Sequence, residues 1–160
     1  MRGMHLFVAG IVVGASVQLA IAQHQNQGIV GLNHVGISVV DLDEAVTYYT
    51  ETLGFPEAFR VVGDDGQVIL VYVQVSRNTF VELQPANPQR PAGINHFGLQ
   101  VEDMSAAREM FKGRGASVAE TRSGSTKAII SNISDPNGIR IELLEFPADS
   151  LQALASEHWQ

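Results

Sequence analysis

The chain has no cysteine among its 160 residues, a single tryptophan, and only 10 basic residues against 17 acidic ones. The missing thiol excludes a disulfide scaffold, a cysteine-ligated zinc finger, an iron–sulfur cluster and a thiol nucleophile. Any metal here must be held by nitrogen and oxygen. The formal charge of −7, with no Lys/Arg cluster, excludes a face for a polyanion. Nucleic acid is therefore not an expected partner. A length of 160 residues, 45% of them hydrophobic, suits one compact domain or two small modules that share a core.

Long apolar runs are also scarce, apart from one at the start. Arg2 and the amino terminus form a short positive region, Leu6 to Val17 is apolar, and Ala20-Ile21-Ala22 places small residues before a cleavage point. These are the three parts of a secretory signal, in order. The run is short of the ~20 residues that cross a bilayer, and Gln18 interrupts it. The expectation is a signal peptide over 1–22, then a mature chain of 138 residues with a charge of −8, secreted or periplasmic and free of the membrane. His5 leaves with the signal, and residues 23–28 form a short extension. His24 would chelate through a terminal amine only if cleavage followed Gln23, which fits the cleavage pattern poorly.

The rest of the chain repeats itself. Gly31 to Ala45 and Gly93 to Ala107, 62 residues apart, share seven of fifteen positions, among them Asn33/Asn95, His34/His96, Gly36/Gly98 and Asp41/Asp103. Phe80-Val-Glu82-Leu matches Arg140-Ile-Glu142-Leu at an offset of 60. Two blocks in the same order at nearly one offset indicate a duplicated module, 29–86 and 93–147. Three prolines in the linker Pro85 to Ala92 are expected to hold it extended.

Each module reads as βαβββ. Leu32 to Val40 alternates as a strand. Asp41 suits an N-cap with Glu44 completing a capping box, and Ala45, Val46, Tyr49 and Leu53 form an apolar stripe that Gly54 ends. Arg60 to Val62 and Val68 to Val75 are strands joined by a turn at Gly63 to Gly66, where Asp64 and Asp65 serve turn chemistry, and Thr79 to Leu83 is the last strand. Glu51 and Glu57 read as surface residues. The second copy gives strand 94–101, a helix from Asp103 to Lys112, and strands near 116–121, 127–133 and 139–146. Turns fall at Ser123 to Ser125 and Asp135-Pro-Asn-Gly138. The tail, 148–160, holds a short helix from Ser150 to His158 capped by Asp149, with His158 solvated. Four strands and one helix are too few to stand alone, so two modules must pair, within a chain or between chains.

His34 and Glu82 lie on the first and last strands of module one, His96 and Glu142 on the same strands of module two. Taken singly, such a His is more often a hydrogen-bonded core residue, and such a Glu more often points to water. Strand alternation puts each Glu opposite its apolar neighbours, which is compatible with either face. The repetition of His with His and Glu with Glu favours a metal centre. Two imidazoles and two carboxylates suit zinc, nickel, iron, manganese or cobalt. Tyr48, Tyr49, Tyr72, Phe59 and Phe97 can contact an aromatic substrate but read mostly as packing.

These residues resemble the vicinal oxygen chelate superfamily, which includes glyoxalase I, bleomycin-resistance proteins, methylmalonyl-CoA epimerase and extradiol dioxygenases. The likeness rests on Leu32-Asn-His-Val-Gly-Ile-Ser-Val, Leu53-Gly-Phe55, Phe80-Val-Glu-Leu, Ile94-Asn-His-Phe-Gly-Leu-Gln-Val and Ser134-Asp-Pro-Asn-Gly-Ile-Arg-Ile-Glu-Leu-Leu-Glu145. It spans 29–147 and implies an α+β fold whose paired βαβββ modules make a half-open barrel around a divalent metal. It also implies a small-molecule substrate that chelates the ion, and a homodimer. Glutamate at position 82 resembles glyoxalase I, whose His, Glu, His, Glu set would map to His34, Glu82, His96 and Glu142. That likeness implies a lyase or isomerase that moves a proton beside a carbonyl through a metal-stabilised enediolate, with Glu142 and Glu82 as base candidates. The arginine with which bacterial glyoxalase I holds glutathione has no match near Ser38, which argues against a glutathione adduct. An extradiol-type dioxygenase and a non-enzymatic, resistance-type binding protein are the alternatives the resemblance leaves.

Overall fold

A computed structural model describes residues 28–159. The signal-peptide region, with His5 and His24, lies outside the described residues. The first module comprises β1 (Ile29–Val39), α1 (Leu42–Thr47), a π-helical turn (Tyr48–Thr52), β2 (Glu57–Val62), β3 (Val68–Ser76) and β4 (Thr79–Pro85). The second comprises β5 (Gly93–Val101), α2 (Met104–Gly113), β6 (Arg122–Ser123), β7 (Ile129–Ser134) and β8 (Arg140–Glu145), with α3 (Leu151–Glu157) after it. One curled eight-stranded sheet runs β2-β3-β4-β1-β5-β8-β7-β6, a half-barrel. In each half the first strand lies parallel to the last, β1 with β4 and β5 with β8. The halves join through an antiparallel β1–β5 seam, so the pairing forms within one chain.

Alternation sorts the side chains onto two faces. On the outer face Val71, Val73 and Leu83 pack under Ala45, Val46 and Tyr49, while Val101, Ile133 and Leu143 pack under Met104, Ala107 and Phe111. Each helix covers its own half, and the inner face is left for chemistry. Asp41 and Asp103 cap the two helices by accepting from Glu44 N at 2.9 Å and Ala106 N at 2.7 Å.

Four expectations differ from the structure. The first helix widens into a π turn, with Leu53 N donating to Tyr48 O at 3.0 Å. The inserted residue turns Leu53 outward, to 42% exposure, and Phe55 fills the core position instead. The strand expected over 116–121 shrinks to a single bridge, Val118 with Ile133, because Ser131 Oγ and Asn132 O are engaged by Ala119 rather than by a continuous strand. The linker is a tight turn, not an extended run: Asn87 and Arg90 exchange backbone bonds at 2.9 and 3.0 Å, and Asn87 Oδ1 accepts from Gln89 N and Arg90 N. Ser150, not Asp149, caps α3, accepting from Ala153 N, while Asp149 pairs with Lys127 at 3.1 Å. Ser38 faces the inner side, buried, where its Oγ accepts from Asn95 Nδ2 at 2.7 Å.

Candidate metal centre

The four residues singled out by the repeat meet on the inner face. β1 and β5 carry His34 and His96; β4 and β8, flanking them, carry Glu82 and Glu142. All four are buried, the histidines to 0% and 1% exposure. The two Nε2 atoms stand 3.0 Å apart. His34 Nε2 lies 3.8 Å from Glu82 Oε2 and 3.7 Å from Glu142 Oε2. His96 Nε2 lies 3.8 Å from Glu82 Oε1 and 3.8 Å from Glu142 Oε2. Ligands each about 2.1 Å from a shared ion stand roughly 3.0–3.4 Å from one another. Donor atoms of His34, Glu82 and His96 all lie within 4.8 Å of one another. These three residues could hold a divalent cation, and Glu142 stands beside them, its Oε2 3.7 and 3.8 Å from the two Nε2 atoms.

Electrostatics say the same. Burial, then the Arg140 charge, lowers both imidazoles to a pKa of about 3, so they are neutral and have lone pairs to give. Burial raises Glu82 to about 7, against the opposing hydrogen bond from Tyr72, and burial also raises Glu142. Both carboxylates are thus costly to ionise even with the Arg140, Arg122 and Arg90 charges nearby, a cost that a divalent ion would offset further.

The supporting contacts were not legible in the sequence. Tyr72 Oη donates to Glu82 Oε2 at 2.5 Å and fixes that carboxylate. The repeated asparagines sit on the Nδ1 side of each imidazole. Asn33 Oδ1 is 3.1 Å from His34 Nδ1, and Asn95 Oδ1 is in close contact with His96 Nδ1. An oxygen acceptor at Nδ1 selects the Nδ1–H tautomer and frees Nε2 for a metal. Arg140 Nη2, 2.8 Å from the same His96 Nδ1, favours the opposite tautomer, in which His96 Nε2–H donates to His34 Nε2. Arg140 Nη1 also pairs with Glu142 Oε1 at 3.0 Å.

Two glycines make the room. The seam sets His34 opposite Gly98 and Gly36 opposite His96. A Cβ on Gly36 would stand 2.6 Å from His96 Nε2 and nearer still to the rest of the ring; one on Gly98 would stand 2.5 Å from His34 Nδ1. Each imidazole therefore lies over the glycine of the other half. The identity of Gly36 with Gly98, and of Asn33 with Asn95, was the available signal. Tyr72 and Arg140 had none, since neither repeats.

The remaining aromatics separate. Phe59 stacks on Tyr72 at 4.6 Å between ring centroids, behind the site. Tyr48 is exposed and Tyr49 belongs to the outer core. His158 caps the C-terminal end of α3 at the surface.

A family model described as Glyoxalase/Bleomycin resistance protein/Dioxygenase superfamily matches residues 31–143. A probable chloroplastic lactoylglutathione lyase from Arabidopsis thaliana is 29% identical over 129 residues, 70% of this chain and 35% of that protein. The chain thus spans about a third of that relative's length. An ethylmalonyl-CoA/methylmalonyl-CoA epimerase from Cereibacter sphaeroides is 30% identical over 127 residues, covering 70% and 95% of the two chains. The crystal structure of methylmalonyl-CoA epimerase from Mycobacterium tuberculosis superposes with a TM-score of 0.66 at 26% identity, covering 76% of this chain and 91% of that one. A hypothetical protein from Bacillus halodurans, 18% identical, shares the fold with a TM-score of 0.63 over 72% and 94% of the chains.

Proposed function

Because the chain belongs to the glyoxalase/bleomycin resistance protein/dioxygenase superfamily, we propose that it is a metal-dependent, glyoxalase-like lyase or isomerase acting on a small oxygenated substrate. The observation that carries this is the convergence of His34, Glu82, His96 and Glu142 in one buried cluster. The lyase and epimerase relatives support the reaction class. In this reading those four residues hold a zinc, nickel, iron, manganese or cobalt ion. When bound, the ion supplies Lewis acidity that stabilises negative charge on oxygens beside the reacting carbon.

The chain's own groups have distinct tasks. His34, held from Nδ1 by Asn33, presents Nε2 without a proton to displace, and His96 does so in the tautomer in which Asn95 Oδ1 rather than Arg140 engages its Nδ1. Glu82 and Glu142 border a cavity of about 160 Å³ and are the two base candidates. Either carboxylate can take the proton at carbon and return it to the neighbouring atom, provided one oxygen is free. Tyr72 keeps Glu82 in one rotamer, and Arg140 holds Glu142 Oε1. Leu144 and Ile130 line the same cavity.

The test is metal content of the purified protein, then solvent deuterium incorporation into a panel of hemithioacetals, acyl-CoA thioesters and 2-hydroxycarbonyl compounds, with oxygen uptake on catechols alongside. The reading expects about one metal equivalent and isotope exchange that Glu142→Gln or Glu82→Gln reduces by at least ~100-fold. A protein that binds no metal, or one indifferent to His34→Ala and Glu142→Ala, refutes it. Oxygen uptake with catechols would transfer the assignment to ring cleavage. Tight ligand binding without turnover would transfer it to a binding protein.

Export is also proposed, on the apolar run and the Ala20-Ile21-Ala22 site. N-terminal sequencing of material from the periplasm or medium checks it, with Gln23 as the expected first residue. A homodimer is proposed on the family resemblance and is checked by sedimentation of the mature chain.

A further inference from the structure

The chain is acidic, with only 10 basic residues. Three of them, Arg90, Arg122 and Arg140, line the one small cavity that also holds Glu82 and Glu142. They come from different elements: the linker turn, β6 and β8. Arg140 Nη1 and Arg122 Nη2 lie 3.0 and 3.7 Å from Glu142 Oε1. Elsewhere among the described residues, four cations pair with a carboxylate of their own, Arg60 with Glu57, Arg108 with Glu120, Lys112 with Glu109 and Lys127 with Asp149, and Arg77 donates to Ser156 O.

The local charge does not close with protein groups alone. Glu82 and Glu142 are the only acidic side chains lining the cavity. In the reading proposed above, their two charges are balanced by a divalent ion, and the imidazoles are neutral. Arg140 and Arg122 then share Glu142 with that ion, and together with Arg90 the three guanidinium groups leave the cavity with a net positive charge. Positive charge of that size in a partly enclosed site calls for an anion. Guanidinium groups match a carboxylate best, since their planar fork donates two parallel bonds to its two oxygens. The cavity volume, about 160 Å³, gives room for roughly five water-sized groups. It is about half the low end of the usual range for ligand pockets, roughly 300–1,000 Å³.

We propose that the substrate is a small carboxylic acid bearing a carbonyl or hydroxyl on the adjacent carbon. Arg122 and Arg90 hold its carboxylate, Arg140 is shared with Glu142, and the adjacent oxygens face the four-residue centre. This rests on the metal reading above and narrows it. Arg90 and Arg122 are exposed and in no helix, so their replacement leaves the fold intact.

The test uses the full mature protein loaded with cobalt, and two probes of equal size: lactate and its uncharged amide, lactamide. Affinities come from calorimetry, and the visible cobalt spectrum reports binding at the centre. The proposal expects lactate to bind at least tenfold more tightly than lactamide and to perturb the cobalt bands. The Arg90→Gln/Arg122→Gln double variant should keep its cobalt content while the preference drops below threefold. Equal binding of the two probes by cobalt-loaded protein overturns the proposal and leaves the metal reading standing, as does a preference that survives in the double variant. Failure to take up cobalt, with the protein folded by circular dichroism, overturns both.

Discussion

Adding one methyl group to the central seam should empty the metal site. Gly36 and Gly98 each lie beneath the imidazole of the other half. In Gly36→Ala the new Cβ would stand 2.6 Å from His96 Nε2, whereas ordinary contact begins near 3.4 Å. The seam pairs β1 with β5 from Ile29 to Ser38, so the backbones cannot part by that amount without losing ladder bonds. The ring must tilt instead, moving Nε2 by about 1 Å, while metal–ligand distances tolerate only about 0.2 Å. His96 is then lost as a ligand. Perturbing a mere supporting contact costs about 10–100-fold in metal affinity, so losing a ligand should cost at least ~100-fold, or about 2.7 kcal/mol. Overpacking should lower stability by a further 1–3 kcal/mol or so. The assay is competition for cobalt or zinc against a chromophoric chelator, with folding followed by circular dichroism. Gly31→Ala is the control, because a Cβ there meets nothing within 4 Å. A folded Gly36→Ala protein that binds metal within threefold of the parent would refute both the packing argument and the role of His96.

Other outcomes follow from the same site. Tyr72→Phe deletes the 2.5 Å bond to the buried Glu82 carboxylate and should weaken metal binding by ~10-fold or more; unchanged affinity would show that Tyr72 does not position Glu82. In metal-free protein, His34 and His96 titrate near 3 instead of 6.5, so the unfolded chain binds more protons and stability is lost as pH falls below 6.5. Glu82, raised from 4.5 to about 7, acts oppositely, and its contribution is lost as pH rises through that window. Glu142, also raised by burial, acts in the same sense as Glu82, but below about pH 4.5 both carboxylates are protonated folded or unfolded and only the imidazoles act, so the urea midpoint of metal-free protein should fall from about pH 4.5 toward 3; a midpoint that rises over that range would contradict the neutral imidazoles. Ser150→Ala should cost about 1 kcal/mol through the lost α3 cap, and Asp149→Ala less than about 0.5 kcal/mol; the reverse order in thermal melts would reassign the cap.

The centre was legible in the sequence because it is written twice. His34 with His96 and Glu82 with Glu142 stand in matched strands, and parallel pairing of first with last strand brings each His to its Glu. What joined the two pairs was not legible, since neither linker length nor composition distinguishes a seam within one chain from one between chains. Tyr72 reads in the sequence as one aromatic among several, and its bond to Glu82 was not legible because it lies on an interior strand with no counterpart in the other half. The π turn escaped notice because its extra residue leaves helical spacing intact up to Tyr49 and displaces only Leu53. The missing strand near 118 was masked by apolar residues, Ala116 and Val118, that pack into the core under the second helix with only the single Val118–Ile133 bridge.

The Asn87–Arg90 turn is the only covalent tie between the halves, yet the geometry gives it little mechanical work. Eight residues of each half are matched along the β1–β5 seam, and the four proposed ligands are divided two and two across it. A protease that nicks this exposed turn would therefore leave a noncovalent pair of fragments, each incomplete, that stay together and keep a working centre. Fragments made separately would have to find each other through an unpaired strand edge, and the ion would bind only once they had done so.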